Sequence, residues 1–226
     1  MMPTSHQSGS RPTVDDLPMP HQFFLLSLQA EKGRLDDDSE PVRGSLLSAA
    51  ALAELCIAGL VHSRDGKAER TNAGTPTALD PFLAEVLGDV PPRRPRSWFE
   101  VLESRWNRAE GAVRDQLVEA GHIAIEHRQI LGPIRRTRIV ATDPPQVEAL
   151  RERVRDAVRA GSEPASGHQA AVLATLAVDG LVGTMFRWRD RRTHKHAIRA
   201  LAGRMDQEMP GLRKGLTYSI AARRGG

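Results

Sequence analysis

The 226-residue sequence has a single cysteine, Cys56, which excludes an internal disulfide; set between Leu55 and Ile57, it reads as a packed thiol within a helix. Aromatic residues are few: five Phe, three Trp and one Tyr. A core must therefore come from Leu, Val, Ile and Ala, a composition that favours helices over a β-sandwich. Long apolar runs are missing as well. The most apolar stretch, residues 46–60, contains Glu54 and is shorter than the ~18 residues that a membrane span requires. The first sixteen residues carry neither a basic nor an apolar signal region. The expectation is a cytoplasmic chain that is neither exported nor membrane-spanning.

Catalytic signatures are lacking too. There is no Gly-x-Ser-x-Gly elbow, no Gly-x-x-x-x-Gly-Lys phosphate loop and no Gly-x-Gly-x-x-Gly fingerprint. The histidines do not converge at metal-ligand spacings: His194 and His196 point apart on a helix, and His122 and His127 fall on opposite faces of a strand. The acidic run at 36–40 lacks the spacing of a calcium loop. No catalytic residue, metal ligand or cofactor is expected, and a binding protein is favoured over an enzyme.

Arginine is abundant. Thirty-two basic residues stand against 28 acidic ones, a net charge of +4, and only four of the basic residues are lysines (Lys32, Lys67, Lys195 and Lys214). Such an excess favours anionic partners only where it is clustered. From Arg187 to Gly226 eleven Lys/Arg face three acids. Two further clusters are Arg105, Arg108 and Arg114, and Arg135, Arg136 and Arg138. Each alone is more often a solvated face than a site.

Residues 1–14, rich in Ser, Pro and Gly, read as a disordered tail, and residues 15–226 as one domain. A dense apolar run from Phe23 to Ala30, without a clean period, predicts a short helix ended by Gly33; apolar positions at helical spacing predict a buried helix over 46–58 closed by Gly59 and a short amphipathic helix at 81–87 within a Pro-rich connector. A long helix follows from an N-cap at Ser97 to Gly121, with a bend or break expected at Gly111. Further helices are expected over the segment opening at Pro144, over 170–178 and near 212–222. Two hairpins interrupt them. One turns at Asp65-Gly66; the longer follows Gly121, where the period changes to two, and carries an apolar tip from Ile130 to Ile134.

An apolar tip beside arginines suits a peripheral membrane protein, with a wedge for the acyl boundary and charges for anionic headgroups. The same tip could dock on another subunit, giving a homo-oligomer, as in a protein-interaction adaptor. The helix at 42–58 with its Asp65-Gly66 hairpin also outlines a winged-helix DNA-binding regulator, but it offers Arg43 and little else to read base edges, so nucleic acid is not the expected partner.

The ordered segments LLSLQAEKGRL, LLSAAALAELCIAGLV, RPRSWFEVL, VRDQLVEAGHIAIEH and HQAAVLATLAVDGLV together resemble the Golgi phosphoprotein 3 family, the 34 kDa peripheral Golgi phosphoprotein domain, as a bacterial member. The similarity spans roughly residues 20–222. It implies a mainly α fold, a helical bundle core with surrounding amphipathic helices and a protruding β-hairpin. It also implies binding of phosphatidylinositol 4-phosphate at a membrane surface, here the inner face of the membrane. Where the family places an aromatic and three basic headgroup ligands, this sequence has Ser39, Ser48, Asn107 and Glu110. The neighbouring Arg43, Arg105 and Arg108 are the expected substitutes for headgroup binding. Ile130, Leu131, Pro133, Ile134, Arg135 and Arg136 are the expected membrane-contacting hairpin.

Overall fold

The computed structural model describes residues 12–74, 76–131, 134–161 and 167–225, without the side chains of 128–136. The chain is mainly α: α1 (Met19–Leu26), α2 (Arg43–Ile57), α3 (Pro81–Asp89), α4 (Trp98–Glu103), α5 (Trp106–Glu119), α6 (Pro144–Ala160), α7 (His168–Asp179), α8 (Trp188–Thr193), α9 (Lys195–Glu208) and α10 (Leu212–Arg224). Three antiparallel strand pairs accompany them: β1 (Leu28–Gln29) with β2 (Arg34–Leu35), β3 (Val61–Arg64) with β4 (Lys67–Arg70), and β5 (Ile123–Leu131) with β6 (Ile134–Ala141).

Helix α2 lies at the centre, packed on α1, α3, α4, α5, α7 and α10. Twelve of its fifteen residues are buried, so it is apolar around its whole circumference and shows little amphipathic pattern. This burial removes the recognition face that a winged helix would need, although the Asp65-Gly66 turn has the positive φ at both residues (51° and 74°) of a primed hairpin. Local chemistry fixes the helix starts. The Asp80 carboxylate accepts from the amides of Phe82 (2.9 Å) and Leu83 (3.1 Å) with Pro81 at the first helical position, and Asp143 with Pro144 does the same for α6.

Three details differ from the sequence expectation. The helix predicted to run from Ser97 to Gly121 is two helices, broken at Ser104–Arg105 and not at Gly111. Arg105 leaves the helical region (φ −132°) where its guanidinium is held by Asp89 and Glu85 of α3, and the Ser97 side chain makes no capping bond. The β1–β2 pair was not foreseen; two residues per strand are too short to show a period. Val14, read as part of the tail, is buried, and its amide donates to Gln146 Oε1 at 2.9 Å.

Candidate anion-binding surface

The segment between β2 and α2 is held from within. The Asp36 carboxylate accepts from the amides of Ser39 (3.0 Å) and Gly183 (3.1 Å), which joins this loop to the one after α7. Arg43, at the start of α2, is only 3% exposed. Its guanidinium donates to the Asp36 carbonyl and to Glu110 Oε2 (2.9 Å), while its Nε is buried without a partner among the described residues. Arg43 and Glu110 therefore neutralise one another at the α2–α5 crossing, close to Ser39, in the region where the sequence comparison looked for an anion pocket.

The other two predicted headgroup residues lie apart from that pair in their contacts. Arg105 is half-buried against Asp89 and Glu85 (2.7 Å to the latter). Arg108 is exposed and has no carboxylate in ion-pair distance among the described residues. The structure thus gives the three arginines no shared partner, and two of them serve inter-helix ion pairs. The hairpin residues Arg135, Arg136, Ile130, Leu131 and Ile134 have side chains outside the described set, and Pro133 lies outside the described residues altogether. The backbone register brings Leu131 opposite Ile134, with an irregularity between Gln129 and Leu131.

Pairing sorts the remaining arginines. On α6, Arg151, Arg155 and Arg159 interleave with Glu148, Glu152 and Asp156 at distances of 2.5 to 3.3 Å. Although burial pushes the Glu148 carboxyl up, hydrogen bonds from Arg155 and Arg151 outweigh it and hold the group below the usual range. Arg213 is matched by Asp179 and Asp206. Arg223 forms a two-pronged bond to Glu103 (2.7 and 2.9 Å) and stacks 3.8 Å over the Trp106 ring. These cations are spent within the fold.

A different arrangement holds along α8 and the first half of α9. Arg187, Arg189, Arg192, Lys195 and Arg199 are all exposed and none has a carboxylate in ion-pair distance among the described residues. Among them stands Trp188, the most exposed large hydrophobic side chain described, at 69%, with Arg192 5.5 Å from its ring centroid. Arg191 turns inward instead and donates twice to the Phe186 carbonyl (2.9 and 3.1 Å). Burial lowers its pKa below the usual arginine value, opposed by Asp38 and aided by the like charge of Arg224. Arg224 in turn donates to the carbonyls of Asp38 (3.2 Å) and Gly180 (2.9 Å).

The sequence signal for Trp188 was its place inside the run FRWRDRR, where an aromatic interrupts closely spaced arginines. The separation of paired from unpaired arginines carried no such signal, because the partners that join helices are distant in sequence, as with Arg223 and Glu103 or Arg43 and Glu110. Among the described residues no group of three His, Cys, Asp or Glu side chains is placed to hold a metal ion, and no helix is long and apolar enough to cross a membrane. A search of curated proteins returns no match. The family described as Golgi phosphoprotein 3 (GPP34) matches residues 19–217.

Proposed function

Because the chain belongs to the Golgi phosphoprotein 3 (GPP34) family, we propose that it binds, as a peripheral protein, the surface of a membrane carrying anionic phospholipid. By family resemblance the specific headgroup is phosphatidylinositol 4-phosphate, and the cellular site is the cytoplasmic face of the inner membrane. The role is one of binding and not of catalysis.

The observation that carries this reading is the segregation of charge. Carboxylates compensate the arginines of α6 and those at the α2–α5 and α4–α10 contacts, while from Arg187 through α8 to the start of α9 five exposed cations have no carboxylate in ion-pair distance among the described residues. Each such cation near an anionic bilayer contributes about 1 kcal/mol. Arg108 is the member of the predicted trio available to an anion; Arg43 and Arg105 hold helices together. The hairpin tip at Leu131 and Ile134 supplies the shallow apolar wedge.

Co-sedimentation with liposomes tests this directly. Neutral vesicles, vesicles with phosphatidylglycerol or cardiolipin, and vesicles with phosphatidylinositol 4-phosphate are compared at low and physiological salt. Binding to anionic vesicles that weakens with salt is expected, and a preference for the phosphoinositide would extend the family's specificity to this chain. Leu131→Asp combined with Ile134→Asp is expected to abolish binding while leaving the melting temperature unchanged. Loss of the fold in that variant, or a full chain that ignores anionic vesicles, would sink the proposal; a concentration-dependent oligomer lost on hairpin truncation would then favour the adaptor.

A further inference from the structure

A cleft of about 430 Å³ opens between the β1–β2 turn, α6 and the loop before α8, lined by Gln29, Glu31, Lys32, Glu148, Arg151 and Arg187 among others. Its walls are fastened to one another. The Thr184 hydroxyl donates to the Leu26 carbonyl (2.7 Å), and Arg151 donates to the Leu28 carbonyl and to Glu148 (3.1 Å). Two polar atoms of its lining residues, Arg151 Nε and Gln29 Oε1, are buried with no partner among the described residues. Both residues line the cleft, so its walls carry an acceptor as well as donors for a ligand.

Charge narrows the choice. Lys32 and Arg187 are exposed cations with no carboxylate in ion-pair distance among the described residues, and they converge on this cleft with Arg151. They suit phosphate oxygens. The Glu31 carboxylate cannot face phosphate oxygens favourably; it needs hydroxyl donors, which an amide such as Gln29 can also accept. A bare phosphate would satisfy half of this set, and a phosphate carrying a hydroxylated substituent would satisfy all of it.

The surroundings identify where such a group would come from. Arg187 is followed directly by Trp188, whose indole has the amphipathic character that prefers the bilayer interface. On the opposite side, the turn that lines the cleft is the seat of the long hairpin: Ile139 donates to the Gly33 carbonyl (2.8 Å) and Arg138 to the Glu31 carbonyl (3.4 Å). We propose that this cleft receives the polyol-phosphate headgroup, of phosphoglycerol or phosphoinositol type, of a membrane lipid, with Trp188 seated in the interface beside it. This rests on the membrane-binding reading above and uses residues separate from the Ser39, Ser48, Asn107 and Glu110 region.

Phosphatidylglycerol and phosphatidylmethanol carry the same charge and differ in headgroup hydroxyls, so vesicles of phosphatidylcholine mixed with one or the other isolate the claim. The full chain is expected to bind phosphatidylglycerol vesicles on the order of tenfold more tightly. Trp188 emission should shift to the blue on binding, and Trp188→Phe should remove that change. Gln29→Leu is expected to erase the preference and leave phosphatidylmethanol binding as it was. Arg187→Gln, or Lys32→Gln at an equally exposed site, is expected to weaken binding to both. Equal affinity for the two vesicles overturns the headgroup assignment and leaves the general anionic-surface reading intact, whereas absence of binding to either overturns both. Soluble glycerol phosphate held as tightly as the vesicle would overturn the lipid as source.

Discussion

Glu54 is an acid in an apolar helix, and burial pushes its carboxyl up to about 7 although the Met19 amide donates to it at 2.6 Å. Between the ordinary value of 4.5 and about 7 the folded chain therefore holds a proton that the unfolded chain has released. Stability contributed by this group falls as pH rises through that window. Glu54→Gln, which keeps an acceptor for Met19, is expected to raise the melting temperature at pH values above the window and to flatten its decline across it, as a series of thermal melts would record. His21 acts with the opposite sign. Burial, only partly offset by Asp80, lowers its pKa, so its contribution is present above the ordinary value of 6.5 and lost as pH falls through the lower folded value. Cys56 was read from its neighbours as packed, and burial pushes its thiol up to about 12. Cys56 is nevertheless partly exposed, so alkylation of the folded chain under mildly basic conditions is expected to be slow for want of thiolate and to quicken on unfolding, and rapid labelling of the folded chain would contradict this.

Two glycines explain why helix periodicity told only part of the story. Gly111, where a break was expected, has open space around its Cβ direction and sits within a continuous α5. Gly111→Ala should fit and stabilise by about 0.5–1 kcal/mol through helix propensity and a less flexible unfolded chain. Gly44 is the demanding one: a Cβ there would overlap the carbonyl oxygen of Trp106, because α2 and the first turn of α5 meet backbone to backbone. Gly44→Ala is expected to cost about 3 kcal/mol, and paired denaturant titrations should move the two variants in opposite directions. Apolar spacing marked α3 and α6, whose buried stripe leaves a period in the sequence, whereas α2 and α7 stood out as apolar runs ended by glycine. The break at Arg105 was not legible, since it depends on carboxylates of α3 some twenty residues away and on a close crossing that no local pattern encodes.

For the whole molecule, the family and the mainly α architecture were legible from the order of short segments, while the distribution of charge was not. A count of 28 arginines treats Arg43, 3% exposed beside Glu110, and Arg192, exposed beside Trp188, as equal. Only the fold separates them. The same separation governs salt dependence: raising ionic strength from ~0.1 to ~1 M shortens the Debye length from ~10 to ~3 Å, so vesicle binding through the α8–α9 cations should be lost while the partly buried Arg223–Glu103 pair keeps α10 in place. Circular dichroism beside the sedimentation assay would check that the two respond differently. Helix α10 has one more consequence. It covers α2 and α4 and reaches the loop before α2 through Arg224, yet it is made well after both of them. During translation the central helix α2 must therefore wait with one side open to solvent, and the nascent chain presents a chaperone-type binding segment until α10 emerges.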